Sequence, residues 1–153
     1  MEETLVIIKP SSIQRSLVGE VLSRFEKKGL QITGIKMMML SDSILEEHYV
    51  HLKEEPFFER IKKSMQVCPV IVIALKGVDA IKVVRDMTGS TNGRTAAVGT
   101  IRGDYSMSVQ ENIIHASDSK ESAVTELKRF FKKDELFNYS QVTLGNLYAN
   151  DEF

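Results

Sequence analysis

The run PVIVIAL, residues 69–75, is apolar at every position. A strand with one wet face alternates apolar with polar residues. This one does not, so it predicts a strand covered on both faces. Apolar elements must then lie above and below whatever sheet contains it. At 153 residues and 42% hydrophobic content, the chain can supply that cover within one domain, residues 1–153.

The covering elements are readable on either side. TLVIIK, residues 4–9, predicts another buried strand, ended by Pro10, with Ser11 and Ser12 as helix N-cap candidates. Ile13, Leu17, Val18, Val21, Leu22 and Phe25 recur at helical spacing, and Gly29 marks the stop. LQITGIKMMML, residues 30–40, predicts a second strand whose methionines fill the core. Ser41-Asp42-Ser43 opens a helical stretch to His51, Pro56 breaks it, and helix resumes over 57–65. A short helix is expected over 78–87, a strand over 109–115 and a long helix over 120–131. Residues 88–108 carry four glycines and predict an irregular loop long enough to be functional. The order resembles an α+β, ferredoxin-like βαββαβ sandwich: an antiparallel four-stranded sheet covered by helices, with a long loop insertion.

Charge and cysteine content narrow the partners. Twenty basic against 21 acidic residues leave a formal net charge of −1, so a broad nucleic-acid-binding face is not expected. One cysteine, Cys68, excludes an intrachain disulfide framework and suits a reducing compartment; beside the apolar run it is expected to be a small buried hydrophobe. No apolar run approaches a membrane span and no signal peptide is readable, so a cytoplasmic location without membrane association is expected.

The chemistry gathers at NIIHASDS, residues 112–119. His115 ends the last predicted strand, and Asp118 with Glu121 has the spacing of a capping box for the helix that follows. The free N–H groups of a helix start attract phosphate, and an imidazole can act there as nucleophile, base or ligand. Taken alone, such a histidine is most often structural. A nucleophilic imidazole needs an acceptor on its other nitrogen, and Glu126 stands two turns into the same helix. Lys9, Arg85, Arg94 and Arg102 lie at element ends or in the long loop, where fixed cations could meet phosphate. His48 and His51 have a spacing that could share a metal, but no third ligand accompanies them. No Walker A loop or protein-kinase glycine-rich loop is present.

NIIHASDS resembles the active-site signature of the nucleoside diphosphate kinase family, Asn-x-x-His-Gly-Ser-Asp-Ser. The resemblance extends over nearly the whole chain. TLVIIKPSSIQRSLVGEVLSRFEKKG is similar to the family's opening strand and first helix, and HYVHLKEEPFF to its nucleotide-binding hairpin. GSTNGRTAAVGTIRGDY is similar to its long loop, and FFKKDELFNY to its C-terminal segment. The resemblance implies ping-pong transfer of the γ-phosphate from a nucleoside triphosphate, mainly ATP, to nucleoside diphosphates through a phosphohistidine. It implies that His115 is the nucleophile, oriented by Glu126 and Ser117, and that Lys9 and Tyr49 contact the transferred phosphate. Arg85, Thr91 and Arg102 would hold the other phosphates. Phe57 and Val109 would sandwich the base with Ile61 nearby, and Lys9 and Asn112 would bind the sugar hydroxyls. Asp118 would lie near a Mg²⁺ brought by the nucleotide, through water. A homo-oligomer, hexamer or tetramer, is implied, with the long loop at subunit contacts.

The chain departs from the family pattern at Ser11-Ser12, where Asp-Gly is usual, and at Ala116, where the signature has glycine. Gly93 and Val98 replace common loop prolines, which should raise the loop's entropy in the unfolded chain. Two other readings fit the residues themselves. One is a phosphocarrier whose histidine is charged by a partner protein. The other is a non-enzymatic ferredoxin-like module that binds a ligand.

Overall fold

The computed structural model describes residues 1–152. Four strands form one sheet: β1 (Glu2–Ile8), β2 (Gln31–Met38), β3 (Val70–Gly77) and β4 (Ile114–Ala116). Their order is β2-β3-β1-β4 and every neighbouring pair is antiparallel. The helices are α1 (Pro10–Gln14), α2 (Val18–Lys28), α3 (Asp42–His48), α4 (Phe58–Met65), α5 (Ala80–Thr88), α6 (Ile101–Tyr105), α7 (Lys120–Phe130) and α8 (Leu144–Leu147). This is the expected ferredoxin-like sandwich, with α3 and α4 inserted between β2 and β3.

The apolar run behaves as its composition requires. Successive strand residues point to opposite faces. Ile71, Ile73 and Leu75 join Val6 and Ile8 in a core with Val21 and Phe25 of α2 and Val84 of α5. Val70, Val72 and Ala74 join Leu5 and Ile7 in a second core with Leu45, Phe58, Leu127 and Phe130 of α3, α4 and α7. Each fully buried aliphatic side chain stabilises the fold by roughly 1.5–3 kcal/mol before entropy is counted, so the two central strands anchor both layers.

Several local expectations change. The first predicted helix is two helices, because Ser16 takes a left-handed φ of 56° between α1 and α2. Lys9, not a serine, is the N-cap residue of α1, with Pro10 at its first position. Ser12 is buried and donates its Oγ to the Ile113 carbonyl at 2.6 Å. Gly29 does end α2: its φ of 96° lets Gly29 and Leu30 donate backbone N–H to Glu26 and Phe25. The methionines are only partly core. Met38 packs inward, but Met37 and Met39 are more than half exposed, as Ile35 nearly is. The physical reason is that β2 is an edge strand. The C-terminal tail bonds along residues 31–33 of it, through Gln31 Nε2 to Tyr139 O, Phe137 N–H to Thr33 O and Tyr139 Oη to Ile32 O, and Lys36 pairs with Glu135, but Ile35 and Met37 are left exposed. Cys68 is half-buried rather than a core residue.

The two stretches around the site differ most from expectation. Residues 88–108 are not wholly irregular, since Thr100 caps α6 and accepts from the Gly103 N–H. Gly93 is required there, because a Cβ at that position would overlap Ser106. The last strand is three residues, not seven. Ser106 and Ser108 hydroxyls bond the backbone from 106 to 111 into a turn that excludes strand pairing. Ile113 follows with φ 74°, and the Ile114 N–H donates to the Asn112 carbonyl at 2.8 Å. That is a γ-turn centred on a β-branched residue, a conformation costing on the order of 1–3 kcal/mol. Complete burial of Ile113 offsets it.

Candidate active site

A cleft of about 590 Å³ opens where β1, β4, α3, α5 and α7 converge, and His115 and Lys9 line it. His115 stands on β4 opposite Ile7, so the central sheet sets its position. Its Nε2 lies 3.0 Å from Glu126 Oε1, and Ser117 Oγ donates to Glu126 Oε2 at 2.5 Å. A carboxylate can only accept, so Nε2 carries the proton and Nδ1 keeps a free lone pair. The capping box expected from Asp118 is absent. Ser119 is the N-cap of α7 and accepts from the Ser122 N–H. Asp118 is instead an exposed carboxylate lining the cleft, and hydrogen bonds from Ser122 and Ser119 hold its pKa below the usual range.

His48, on α3, packs edge-on against His115 with ring centroids 4.5 Å apart. It is buried, and Arg129 Nη1 lies 3.3 Å from its Nδ1, which therefore accepts. Burial, then the neighbouring His115 and Arg129, push its pKa down to about 2, so it is a neutral wall of the site. The spacing of His48 and His51 does not bring them to one site: His48 is buried and His51 exposed. His48, His115 and Glu126 do bring ligand-capable atoms within 4.8 Å of one another. The Glu126 oxygens are already engaged by His115 and Ser117, so the cluster supports the imidazole.

The cations converge as expected, by different means. Lys9 Nζ donates to Asn112 Oδ1 at 2.6 Å and to the Gln110 carbonyl at 3.3 Å. Burial and Arg102 lower its pKa to about 8, with Glu111 opposing. Asn112 Nδ2 in turn donates to the Thr91 carbonyl, tying the long loop to this chain of bonds. Arg102 is buried and donates to the carbonyls of Asn112, Gly89 and Ile114. It thereby supports the γ-turn while presenting charge to the cleft; burial lowers its pKa to about 10, which leaves it cationic. Arg85 is exposed and reaches the Ala116 carbonyl at 3.4 Å. Burial raises the Tyr49 phenol far above its ordinary pKa, so it remains a neutral donor. Arg94 does not join this group: it bonds the Met107 carbonyl within the loop.

Lys9, Tyr49, Thr91 and Asn112 also border a second cleft of about 390 Å³, mainly apolar, which Phe57, Ile61 and Val109 line. The two clefts meet at these four shared residues, and the imidazole lines the polar one.

A family model for nucleoside diphosphate kinase matches residues 2–136. The chain belongs to the nucleoside diphosphate kinase family. It is 67% identical over 153 residues, the whole of both chains, to a nucleoside diphosphate kinase of Parabacteroides distasonis. It is 48% identical over 152 residues to one from Rhodopirellula baltica, covering 99% of this chain and all of that one. The fold matches a halophilic nucleoside diphosphate kinase from Halobacterium salinarum in complex with CDP. The TM-score there is 0.94 at 36% identity, covering 96% of this chain and 98% of the other. A nucleoside diphosphate kinase from Encephalitozoon cuniculi matches with a TM-score of 0.93, at 38% identity over 97% of this chain. The activity of this family member is that of a nucleoside diphosphate kinase, a phosphotransferase.

All the nucleoside diphosphate kinase residues named from the sequence resemblance line one of the two clefts, except Ser117, which is buried behind Glu126. Ala116, in place of the signature glycine, is accommodated: it pairs with Val6 in the sheet, buried and without a left-handed φ. Sequence reasoning missed His48 as a packing partner of His115 and missed the γ-turn at Ile113. The adjacent His48-Tyr49 pair was the available signal for the first. Nothing local in Asn-Ile-Ile-His signals the second.

Proposed function

We propose that His115 carries the phosphate between two nucleotides. The observation that carries this reading is the Glu126 bond to Nε2, which leaves Nδ1 as the nucleophile. The Nδ1 lone pair forms a bond to the γ-phosphorus of a nucleoside triphosphate, mainly ATP. The bond from that phosphorus to the β–γ bridging oxygen breaks, and the nucleoside diphosphate leaves. In the second half-reaction a β-phosphate oxygen of another diphosphate attacks the phosphohistidine and restores His115.

The other roles follow from position and charge. Lys9 and Tyr49 face the transferred phosphoryl group, and Arg85, Thr91 and Arg102 face the remaining phosphates. Little covalent work is left for the protein beyond positioning and charge compensation. Phe57 and Val109 take the two faces of the base beside Ile61, and Lys9 with Asn112 takes the sugar hydroxyls. Asp118 is ionised and faces the phosphate end, which fits outer contact to a Mg²⁺ carried by the nucleotide. That ion would neutralise phosphate charge.

We also read residues 1–153 as one such domain that assembles with copies of itself, as a hexamer or tetramer. Ile35 and Met37 on edge strand β2, with Met39 just beyond its end, are exposed and support a self-contact there. Exposed Val98 and Met107 support another through the long loop. Light scattering at micromolar concentration tests this, and an active monomer would remove it. A cytoplasmic location is consistent with the single cysteine, and among the described residues no helix is long and apolar enough to cross a membrane.

Incubation with γ-labelled ATP and no other protein tests the transfer. The chain should acquire an acid-labile label on His115 and lose it to added nucleoside diphosphate. Labelling that requires a partner protein would make it a phosphocarrier. No labelling at all would leave only a binding module.

A further inference from the structure

The base cleft has two walls, α4 and the turn 106–112, and the contacts between them are side-chain hydrogen bonds. Arg60 Nε donates to Gln110 Oε1 at 2.8 Å. Four residues on, Ser64 Oγ donates to Glu111 Oε1 at 2.5 Å. Gln110 Nε2 also donates to Glu111 Oε1 at 3.2 Å, which joins the two bridges.

The spacing gives these bridges a specific place. Phe57, Arg60, Ile61 and Ser64 are related by steps of three and four and share one face of α4. On the opposite wall Val109, Gln110, Glu111 and Asn112 are consecutive. The apolar pair Phe57 and Val109 therefore has the polar bridges directly beside it. The separation of the two walls is set by the lengths of four side chains, in a region where the backbone makes no ladder. The Gln110 carbonyl meanwhile accepts from Lys9, so the wall that carries the bridges also touches the phosphate end.

We propose that Arg60, Ser64, Gln110 and Glu111 form a latch that holds the base slot at one width, making them positioning residues for the nucleotide base. The proposal rests on the base occupying the slot between Phe57 and Val109. An open slot must pay the ordering cost of both walls when a nucleotide binds; a latched slot has already met it. The latch acts only on the part of the substrate that enters the slot.

The test compares two phosphoryl donors, ATP and ribose 5-triphosphate, which keeps the sugar and phosphates but has no base. Ser64→Ala/Gln110→Ala breaks both bridges and leaves the Glu111 charge, which acts on Lys9, in place. Phosphohistidine formation is followed at varied donor concentration. The double variant should lose about tenfold in kcat/KM with ATP, all of it in KM, as expected for two modest hydrogen bonds. With ribose 5-triphosphate the change should stay under about twofold. Ser64→Thr, which keeps the hydroxyl, should retain most of the ATP rate. Equal losses with both donors, or no loss with ATP, would overturn the latch while the base slot stands. Equal use of the two donors by the unmodified enzyme would remove the slot and the latch with it.

Discussion

The two ends of the cleft are built on different terms. The phosphate end is drawn from the end of β1, its neighbour β4 and the helices packed on them, and His48, Tyr49, Arg102, Asn112, Ser117 and Glu126 are all buried. Arg102, Asn112, Ser117 and Glu126 are each fixed by hydrogen bonds there, whereas the buried His48 Nε2 has none among the described residues. The base end lies between α4 and an irregular turn, with Phe57 36% and Val109 50% exposed. Charge development in a transferring phosphoryl group rewards dipoles and cations fixed before the reaction. Stacking on a base needs only an apolar face. Precision is concentrated where the barrier is.

The largest effect should come from the polar end. His115→Ala should lower transfer by about four powers of ten or more while the circular dichroism spectrum stays native, since it removes the atom that forms the covalent intermediate. Substantial ping-pong turnover in the folded variant would break the comparison at its root. Glu126→Gln should cost less, on the order of a hundredfold in single-turnover phosphorylation. The nucleophile remains, but its tautomer is no longer fixed by a carboxylate. An unchanged rate would mean that Glu126 is only a buried neighbour.

The lowered pKa of Lys9 sharpens the contrast through pH. Lys9 should lose its proton in the free enzyme as pH rises through about 8, so kcat/KM should fall on that alkaline limb. Stability should respond in the opposite sense. The unfolded chain keeps this proton up to about 10.5, so it binds more protons than the folded state between about 8 and 10.5. The Lys9 contribution to stability therefore rises with pH across that window. A kcat/KM flat to pH 9.5, or a Lys9→Met variant that keeps the same limb, would assign it to another group.

At the base end the effects should be smaller. Phe57→Ala should raise KM for nucleoside diphosphates about tenfold with little change in kcat, the value of one lost stacking face. A loss mainly in kcat would give the base end a share in the chemistry. Smallest of all should be the spread among bases. ATP, GTP, CTP, UTP and dATP should phosphorylate His115 within roughly two powers of ten in kcat/KM, purines ahead by stacking area. A preference above about a thousandfold for one base would require an edge contact of the kind that leaves buried groups unpaired with the wrong substrate.

Much of this molecule was legible in the chain. An unbroken apolar run, helical spacing of Val21 with Phe25, and a glycine at residue 29 are local signals with local physical causes. They led correctly to the sheet, its double cover and the end of α2. The motif around His115 named the proposed nucleophile and its neighbours because each is a fixed distance away along the chain. What the tertiary structure alone decided are contacts across long separations. Met37 and Met39 are exposed because β2 is an edge strand, and edge position depends on which strands pair. The strand expected over 109–115 shrank because serine hydroxyls capture its backbone, and because burial of Ile113 and two bonds from Arg102, to the Asn112 and Ile114 carbonyls, hold a γ-turn that no local preference favours. His48 became the wall of the imidazole only when α3 packed over β4. A sequence specifies periodicity and residue chemistry; which distant groups are buried together is a property of packing, and packing lowered the pKa of both His48 and Lys9 below the ordinary range.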